Sequence, residues 1–303
     1  MQQRSKSHGS TRALATAALT ILAAALSACG GGGGSNSSSG GTPTASVASM
    51  SVSASKYYAN ATVTINGTGL DSTLAVSSAA CTGMTLSNTS TSTSATYTCK
   101  VDGALTSTVV AKSNGTQVGS AAFTVPAPIV TMTLNNQGAV NGNVLITLAP
   151  DKAPVTVDNF LAYVTSGFYN NTIFHRIVPG FVAQGGGYAS PVTDLSTATL
   201  KSGLLPAIGY ENSGLSHTSG TIAMAATSTG AETSQFFFDL ANNTNLDGAY
   251  TVFGSITSGS DVITAMLAAP ANCTTTVVDS AGDTETDCLP NPNVVVTSAT
   301  QTQ

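Results

Sequence analysis

The chain has 303 residues, enough for more than one domain, and only 8% of them are charged, far below the roughly one-quarter usual in soluble domains. Its formal net charge is −5, so the balance does not favour a nucleic-acid backbone as partner. After residue 30 no apolar run is long enough to cross a bilayer.

The chain opens with a processing signal. Arg4, Lys6 and Arg12 form a basic start, ALATAALTILAAAL (13–26) is a short apolar run, and LSAC (26–29) sets small residues before a cysteine. The order resembles the lipobox of bacterial lipoproteins. That implies a signal peptide over residues 1–28 and a lipid on Cys29; an ordinary secretory signal with a chance cysteine is the alternative. Cleavage would remove three of the nine basic residues and no acidic one, leaving six against fourteen, a net −8. Arg176 would then be the only arginine. Gly30 behind the cysteine resembles sorting to the outer membrane of Gram-negative bacteria, so an envelope location facing the periplasm is expected. Attachment would be through the N-terminal lipid alone.

Residues 29–45, with GGGGGSNSSSGGTPT at 30–44, read as a flexible tether. Residues 46–127 are rich in Ser, Thr and Val. ATVTINGTGL (61–70) alternates with Val63 and Ile65 on one face, and ATYTCKV (95–101) and STVVAKSNGTQVGSAAFTV (107–125) read as strands, the latter around an Asn114-Gly115 turn. A small Ig-like β-sandwich is expected, serving as spacer or scaffold. PAP (126–128) marks the boundary.

Past the lipid-bearing residue four cysteines remain, Cys81, Cys99, Cys273 and Cys288, an even number in an exported chain. Of three pairings, Cys81–Cys99 and Cys273–Cys288 are expected because each is local. A bridge closing a loop of about 15 residues is worth about 3 kcal/mol. A metal site lacks the CxxC or HxxxH spacing it would need.

Residues 129–303 read as a second domain. GNVLITL (142–148) alternates with Val144, Ile146 and Leu148 inward. APVTVDNFLAYVTSG (153–167) repeats Val157, Phe160, Leu161 and Val164 at helical spacing, with Pro154 at its start and Gly167 at its end. A second helix is expected over 260–269, capped by Ser260 or Asp261 and stopped by Pro270. Between the helices, 173–177, 181–184, 220–226, 234–240 and 250–256 read as strands, and a last one is expected near 294–298. The fold expected is mainly β: a closed antiparallel β-barrel capped by two helices.

Several chemistries are missing. The glycines at 185–187 are not followed by the Lys-Ser/Thr of a phosphate loop, and GxSxG and HExxH do not occur. A Ser/His/Asp set from Ser234, His175 or His217, and Asp239 has no support in spacing. Glu211 and Glu232 as a glycosidase pair are weaker than their reading as exposed loop residues.

What remains is one cation among aromatic, aliphatic and amide residues, in FHRIVPGFVAQGG (174–186), GTIAMAATSTGAETSQFFFDL (220–240) and NLDGAYTVFG (245–254). Together, in order and spacing, these segments resemble the cyclophilin family of peptidyl-prolyl cis-trans isomerases, over about residues 130–270. The resemblance implies a cyclophilin-like barrel that accelerates X–Pro rotation in exported or envelope proteins, without cofactor or metal. It implies Arg176 as the catalytic residue. Phe181, Phe237 and Leu246 would form the proline pocket, with Val182 where methionine is usual. Gln184 would hold the substrate backbone, Ala225 would flank the bound peptide, Gln235 would line the groove, and Tyr250 stands where many members have histidine. Ala226 replaces a polar residue. Asn245 replaces a tryptophan or phenylalanine that in many members contacts cyclosporin, so weak cyclosporin binding is expected. The segment 271–292 departs from the family pattern and reads as an acidic loop closed by Cys273–Cys288.

These residue types suit the reaction. Rotation about the amide faces a barrier of about 18–20 kcal/mol, and needs no nucleophile. A guanidinium aimed at the prolyl nitrogen binds the twisted state, in which that nitrogen becomes an acceptor, better than either planar one. In an extended FFF run Phe236 and Phe238 face one side and Phe237 the other. Even spacing sets Phe174, Arg176 and Gln184 on one face, and Phe181 needs a bend at Pro179-Gly180 to join them. A non-catalytic chaperone or adhesin module on the same fold is the rival reading.

Overall fold

A computed structural model describes residues 45–70, 74–269, 271–278 and 284–303, without the side chains of 271–278 and 284–287. The signal peptide, Cys29, the tether up to residue 44, Pro270 and the side chain of Cys273 lie outside the described residues. The described residues form one compact unit.

The first seven strands are β1 (Ser46–Ser53), β2 (Asn60–Thr68), β3 (Leu74–Ser77), β4 (Cys81–Leu86), β5 (Ser94–Val101), β6 (Thr106–Ser113) and β7 (Thr116–Thr124). They form two antiparallel sheets, in the orders β1-β2-β5-β4 and β3-β6-β7. Val63 and Ile65 are fully buried, as alternation requires. Asn114 and Gly115 both have positive φ, 50° and 80°, the signature of a tight hairpin turn. Cys81 and Cys99 form a disulfide. Cys288 is also disulfide-bonded.

The remaining elements are β8 (Ile129–Asn135), β9 (Asn141–Leu148), helix α1 (Pro154–Thr165), β10 (Thr172–Ile177), β11 (Val182–Ala189), β12 (Ile208–Gly209), β13 (Thr221–Ala226), β14 (Ala231–Asp239), β15 (Val252–Ser258), helix α2 (Ser260–Leu267), β16 (Ala271–Val278), β17 (Thr284–Pro290) and β18 (Val294–Gln301). The sheet order β11-β10-β18-β8-β9-β15-β13-β14 is closed by pairing of β11 with β14, and β12 adds to the β14 edge. The result is an eight-stranded antiparallel barrel. Strands β16 and β17 pair antiparallel as a separate two-stranded sheet, so 271–278 and 284–290 are strand rather than the plain loop expected, and Leu289 packs with Ile173 and Val192.

Helix α1 begins with Pro154 and buries Val157, Phe160, Leu161 and Val164. Phe160 meets Tyr169, Phe236 and Phe253 at ring centroids of 5.2, 5.7 and 5.1 Å. Its end is a Schellman arrangement: the Phe168 N–H reaches the Tyr163 carbonyl and the Gly167 N–H that of Val164, with Gly167 at φ 70°. Its start is capped from afar. The Glu211 carboxylate accepts the N–H of Val155 at 3.2 Å and of Thr156 at 2.9 Å, so Glu211 is not the idle loop residue expected. Helix α2 is capped by neither Ser260 nor Asp261. Its N-cap is Gly259 at φ 93°, with no side-chain cap bond; a cap in the left-handed region suits glycine alone.

The N-terminal sheets are clasped to the barrel. Tyr57, fully buried, donates its hydroxyl to Asp158 Oδ1 on α1 at 2.8 Å and accepts the Gly103 N–H at 2.8 Å. Gln301 donates to the Tyr57 carbonyl at 2.9 Å, and the Leu105 N–H to Asp151 at 2.8 Å. Burial raises the Asp158 carboxyl to about 6.

Candidate active site

The site is a row of paired residues across five strands. Arg176 on β10 pairs with Gln184 on β11, Gln184 with Phe237 on β14, Phe237 with Ala223 on β13, and Ala223 with Val252 on β15. Directly paired side chains share a face. The next row, Phe174–Gly185–Phe236–Met224, points into the barrel. Alternation along β14 therefore sends Phe236 and Phe238 into the main core and Phe237 to the other side, as the sequence predicts.

Phe237 there belongs to a second, small apolar cluster with Val182, Ala223 and Val252, against which Phe181, Ala225, Leu246 and Tyr250 pack half-buried. The residues expected to wall the proline pocket thus meet, with Val182 among them. Phe181 arrives by the expected bend. Its N–H reaches the Val178 carbonyl at 3.0 Å, with Pro179 second and Gly180, at φ 79°, third, the pattern of a type II turn. The Arg176 guanidinium carbon then lies 5.7 Å from the Phe181 ring centroid, within cation–π range.

One expectation fails. Phe174 does not share the face of Arg176: its ring packs on Phe236 and Phe238 at 5.7 and 5.5 Å. Between Phe174 and Arg176 the register advances two residues on β10 for one on β11. This β-bulge at His175 breaks the even count. His175 is buried against Tyr188, ring centroids 4.8 Å apart, and takes no part in the groove face. Burial, then the neighbouring Arg176 charge, lowers its pKa to about 4, so near neutral pH the guanidinium is the charged partner of the two.

Gln184 and Gln235 are joined, Nε2 of the first donating to Oε1 of the second at 3.0 Å. The glycines beside them are steric. A Cβ on Gly187 would come within 2.8 Å of the Gln235 side chain, and one on Gly186, at φ 85°, within 2.8 Å of the Ser234 carbonyl. Ala225 sits at a register break, where β13 advances two residues from Met224 to Ala226 while β14 advances four from Phe236 to Glu232. Asn245 is exposed on a one-turn 3-10 helix, Thr244–Leu246.

The Ser/His/Asp set discounted from sequence does not assemble, although two of its members are in contact. His217 and Asp239 do meet, Nδ1 to Oδ2 at 2.9 Å, although 22 residues separate them. Only the antiparallel fold brings them together; the one signal available was that both residue types are scarce near the FFF run. Ser234 does not complete a triad, since its hydroxyl donates to the Gly186 carbonyl at 2.9 Å. Glu232 is fully buried rather than exposed. It accepts the Thr251 hydroxyl at 3.0 Å, and burial raises its pKa to about 7. It serves the barrel interior and forms no glycosidase pair with Glu211, which is committed to helix α1.

Among the described residues no group of three or more His, Cys, Asp or Glu could hold a metal ion. A cleft of about 650 Å³ lies under the 189–202 loop, lined by Asp194, Thr197 and Leu200 among others, and holds none of the residues just described. Its Lys201 donates to the carbonyls of Phe168 and Asn170.

The arrangement is a cation beside an apolar pocket, flanked by amides and lacking an assembled nucleophile, on a closed barrel. Sequence comparison agrees. The family described as cyclophilin type peptidyl-prolyl cis-trans isomerase/CLD matches residues 129–300, and the chain belongs to that family. A peptidyl-prolyl cis-trans isomerase A of Dickeya dadantii is 44% identical over 127 residues, 40% of this chain and 64% of that one. A peptidyl-prolyl cis-trans isomerase of Acinetobacter baylyi is 40% identical over 137 residues, 43% of this chain and 70% of that one. The chain thus spans slightly under two thirds of the first of these relatives. A crystal structure of a cyclophilin type peptidyl-prolyl cis-trans isomerase from Cryptosporidium parvum aligns at 21% identity with a TM-score of 0.43, covering 59% of this chain and 99% of that one.

Proposed function

We propose that the chain catalyses cis–trans rotation about X–Pro bonds in polypeptides, with Arg176 as catalytic residue. The observation that carries this reading is the row from Arg176 through Gln184 to Phe237, which sets a permanent cation on the same face as the small apolar cluster around Phe237.

The chemistry follows from these groups. Phe181, Phe237, Leu246 and Tyr250 grip the prolyl ring, and Gln184 and Gln235 offer donors and acceptors to the flanking peptide. The carbonyl side of the amide is left to rotate. As it twists, the prolyl nitrogen loses conjugation and gains acceptor character. Arg176 donates there, an interaction available only in the twisted state, and so lowers the barrier. Arginine keeps its charge at every physiological pH.

The setting is part of the proposal. The basic start, apolar run and LSAC box support export and a lipid on Cys29, which would make this an envelope protein facing the periplasm and acting on exported chains. Residues 46–127 would serve as its spacer. Among the described residues no helix is long and apolar enough to cross a membrane. Mass spectrometry of the native N-terminus should find a diacylglyceryl Cys29; an unmodified residue there removes the anchor.

The test of the activity is a protease-coupled assay on an Ala-Pro tetrapeptide. Removing one donor aimed at a developing acceptor costs about 10²–10³ in rate, so Arg176→Ala should lower kcat/KM by about that factor. Equal rates for both proteins would leave a binding module on this fold instead.

A further inference from the structure

Behind the pocket wall lies a polar node that the rotation chemistry does not use. Asp239, at the end of β14, is 1% exposed. One of its oxygens takes Nδ1 of His217 at 2.9 Å and the Thr221 hydroxyl at 2.7 Å; the other takes the Asn243 amide at 2.8 Å. A carboxylate only accepts, so Nδ1 of His217 is the donor in that contact.

Two of its three arms, His217 and Asn243, end on the walls. The His217 ring is stacked on Phe237, centroids 5.7 Å apart and planes 11° from parallel. It stands edge-on to Tyr250 at 6.4 Å, and its Nε2 lies 3.4 Å from the Tyr250 carbonyl oxygen. Asn243 donates to the Phe181 carbonyl at 2.9 Å, and its own carbonyl receives the Leu246 N–H at 2.9 Å. The His217 carbonyl in turn receives the Asn243 N–H at 2.9 Å. The four walls come from three segments of chain, Leu246 and Tyr250 sharing one, and this node touches all four.

We propose that Asp239 and His217 are positioning residues for the proline pocket: without touching substrate, they fix the spacing of Phe181, Phe237, Leu246 and Tyr250, and with it the affinity for a prolyl ring. This rests on the isomerase reading of the groove. The sensitivity is physical. A radial gap of about 0.5–1 Å forfeits about a quarter to a half of a dispersion contact, so a wall that drifts slightly loses grip without any loss of apolar area. The reacting amide lies on the Arg176 side, so turnover of bound peptide should be spared.

The experiment titrates an Ala-Pro tetrapeptide into the full chain by NMR and measures turnover at saturating peptide by exchange spectroscopy. Asp239→Asn weakens a charge-assisted network. His217→Asn keeps an N–H for Asp239 but removes the flat ring under Phe237. Both should raise Kd about tenfold, and the milder Thr221→Val, on a partly exposed residue, about two- to threefold. Turnover at saturation should stay within about twofold of wild type. Unchanged Kd in the variants that fold overturns the proposal, even if melting temperatures fall, because a merely structural role predicts that result. A defect confined to turnover also overturns it. A wild type that binds peptide without turning it over removes only the isomerase reading, and the Kd ratios still decide the positioning role.

Discussion

Phe236 and Phe237 are neighbours in sequence and face opposite sides of one strand. Inside the barrel, Phe236 is edge-on to Phe160, Tyr169 and Phe174, at 5.7, 5.4 and 5.7 Å. Outside, Phe237 meets a histidine ring and the Tyr250 ring, the latter edge-on at 5.5 Å. Both are nearly fully buried. The inner ring is surrounded by rings and serves stability, whereas the outer ring is backed by a hydrogen-bonded node and serves recognition. Burial alone does not distinguish the two uses; the company each ring keeps does.

Mutation can break or sharpen that contrast. The largest effect is expected inside: Phe236→Ala should cost about 3–5 kcal/mol of stability, read by denaturant unfolding, while the folded fraction keeps kcat/KM within about threefold. A loss of activity in excess of unfolding would blur the two sides. Glu232 shares the inner face of β14, and its carboxyl sits at about 7 through burial, above its ordinary 4.5. The folded state therefore holds a proton that the unfolded state has released across that window, and stability falls as pH rises from about 4.5 to 7, by at most about 3 kcal/mol. Glu232→Gln should melt higher than wild type at pH 8 and alike near pH 4; parallel curves would refute the assignment.

Outside, Phe237→Ala should cost less stability than Phe236→Ala but lower kcat/KM by about 10–30-fold. Equal destabilisation by the two alanines would erase the comparison. Asn245, at the rim, should have the smallest effect. Asn245→Trp is expected to tighten cyclosporin binding about tenfold, in keeping with one added aromatic contact, measured by calorimetry. Tight binding by the wild type would show that the rim does not need the aromatic.

Much of this was legible in the sequence because it depends on local periodicity. The helical repeat of Val157, Phe160, Leu161 and Val164, the alternation in FFF and the Pro179-Gly180 bend are each decided within a few residues, and each appears in the fold. What was illegible depends on pairing across the sheet. The bulge at His175 exists only relative to β11, and it overturned the count that put Phe174 beside Arg176. Glu211 caps a helix more than fifty residues away. Glu232 lies in a barrel interior that closes only when β11 finds β14. The His217–Asp239 contact likewise needs the antiparallel pairing around β13 and β14 before two scarce residues become neighbours.

The clasp at Tyr57 bears on modularity. Family resemblance begins at residue 129, which invites treating the barrel as a cassette that can be cut out and transplanted. In this chain such a transplant would carry the pocket intact but strip Asp158 of the Tyr57 phenol, Asp151 of the Leu105 amide and Gln301 of its carbonyl acceptor. The first helix and the last strand of the barrel are both finished by residues that precede it. The N-terminal sheets are therefore part of the footing of the barrel, and the natural unit of exchange is larger than the family boundary implies.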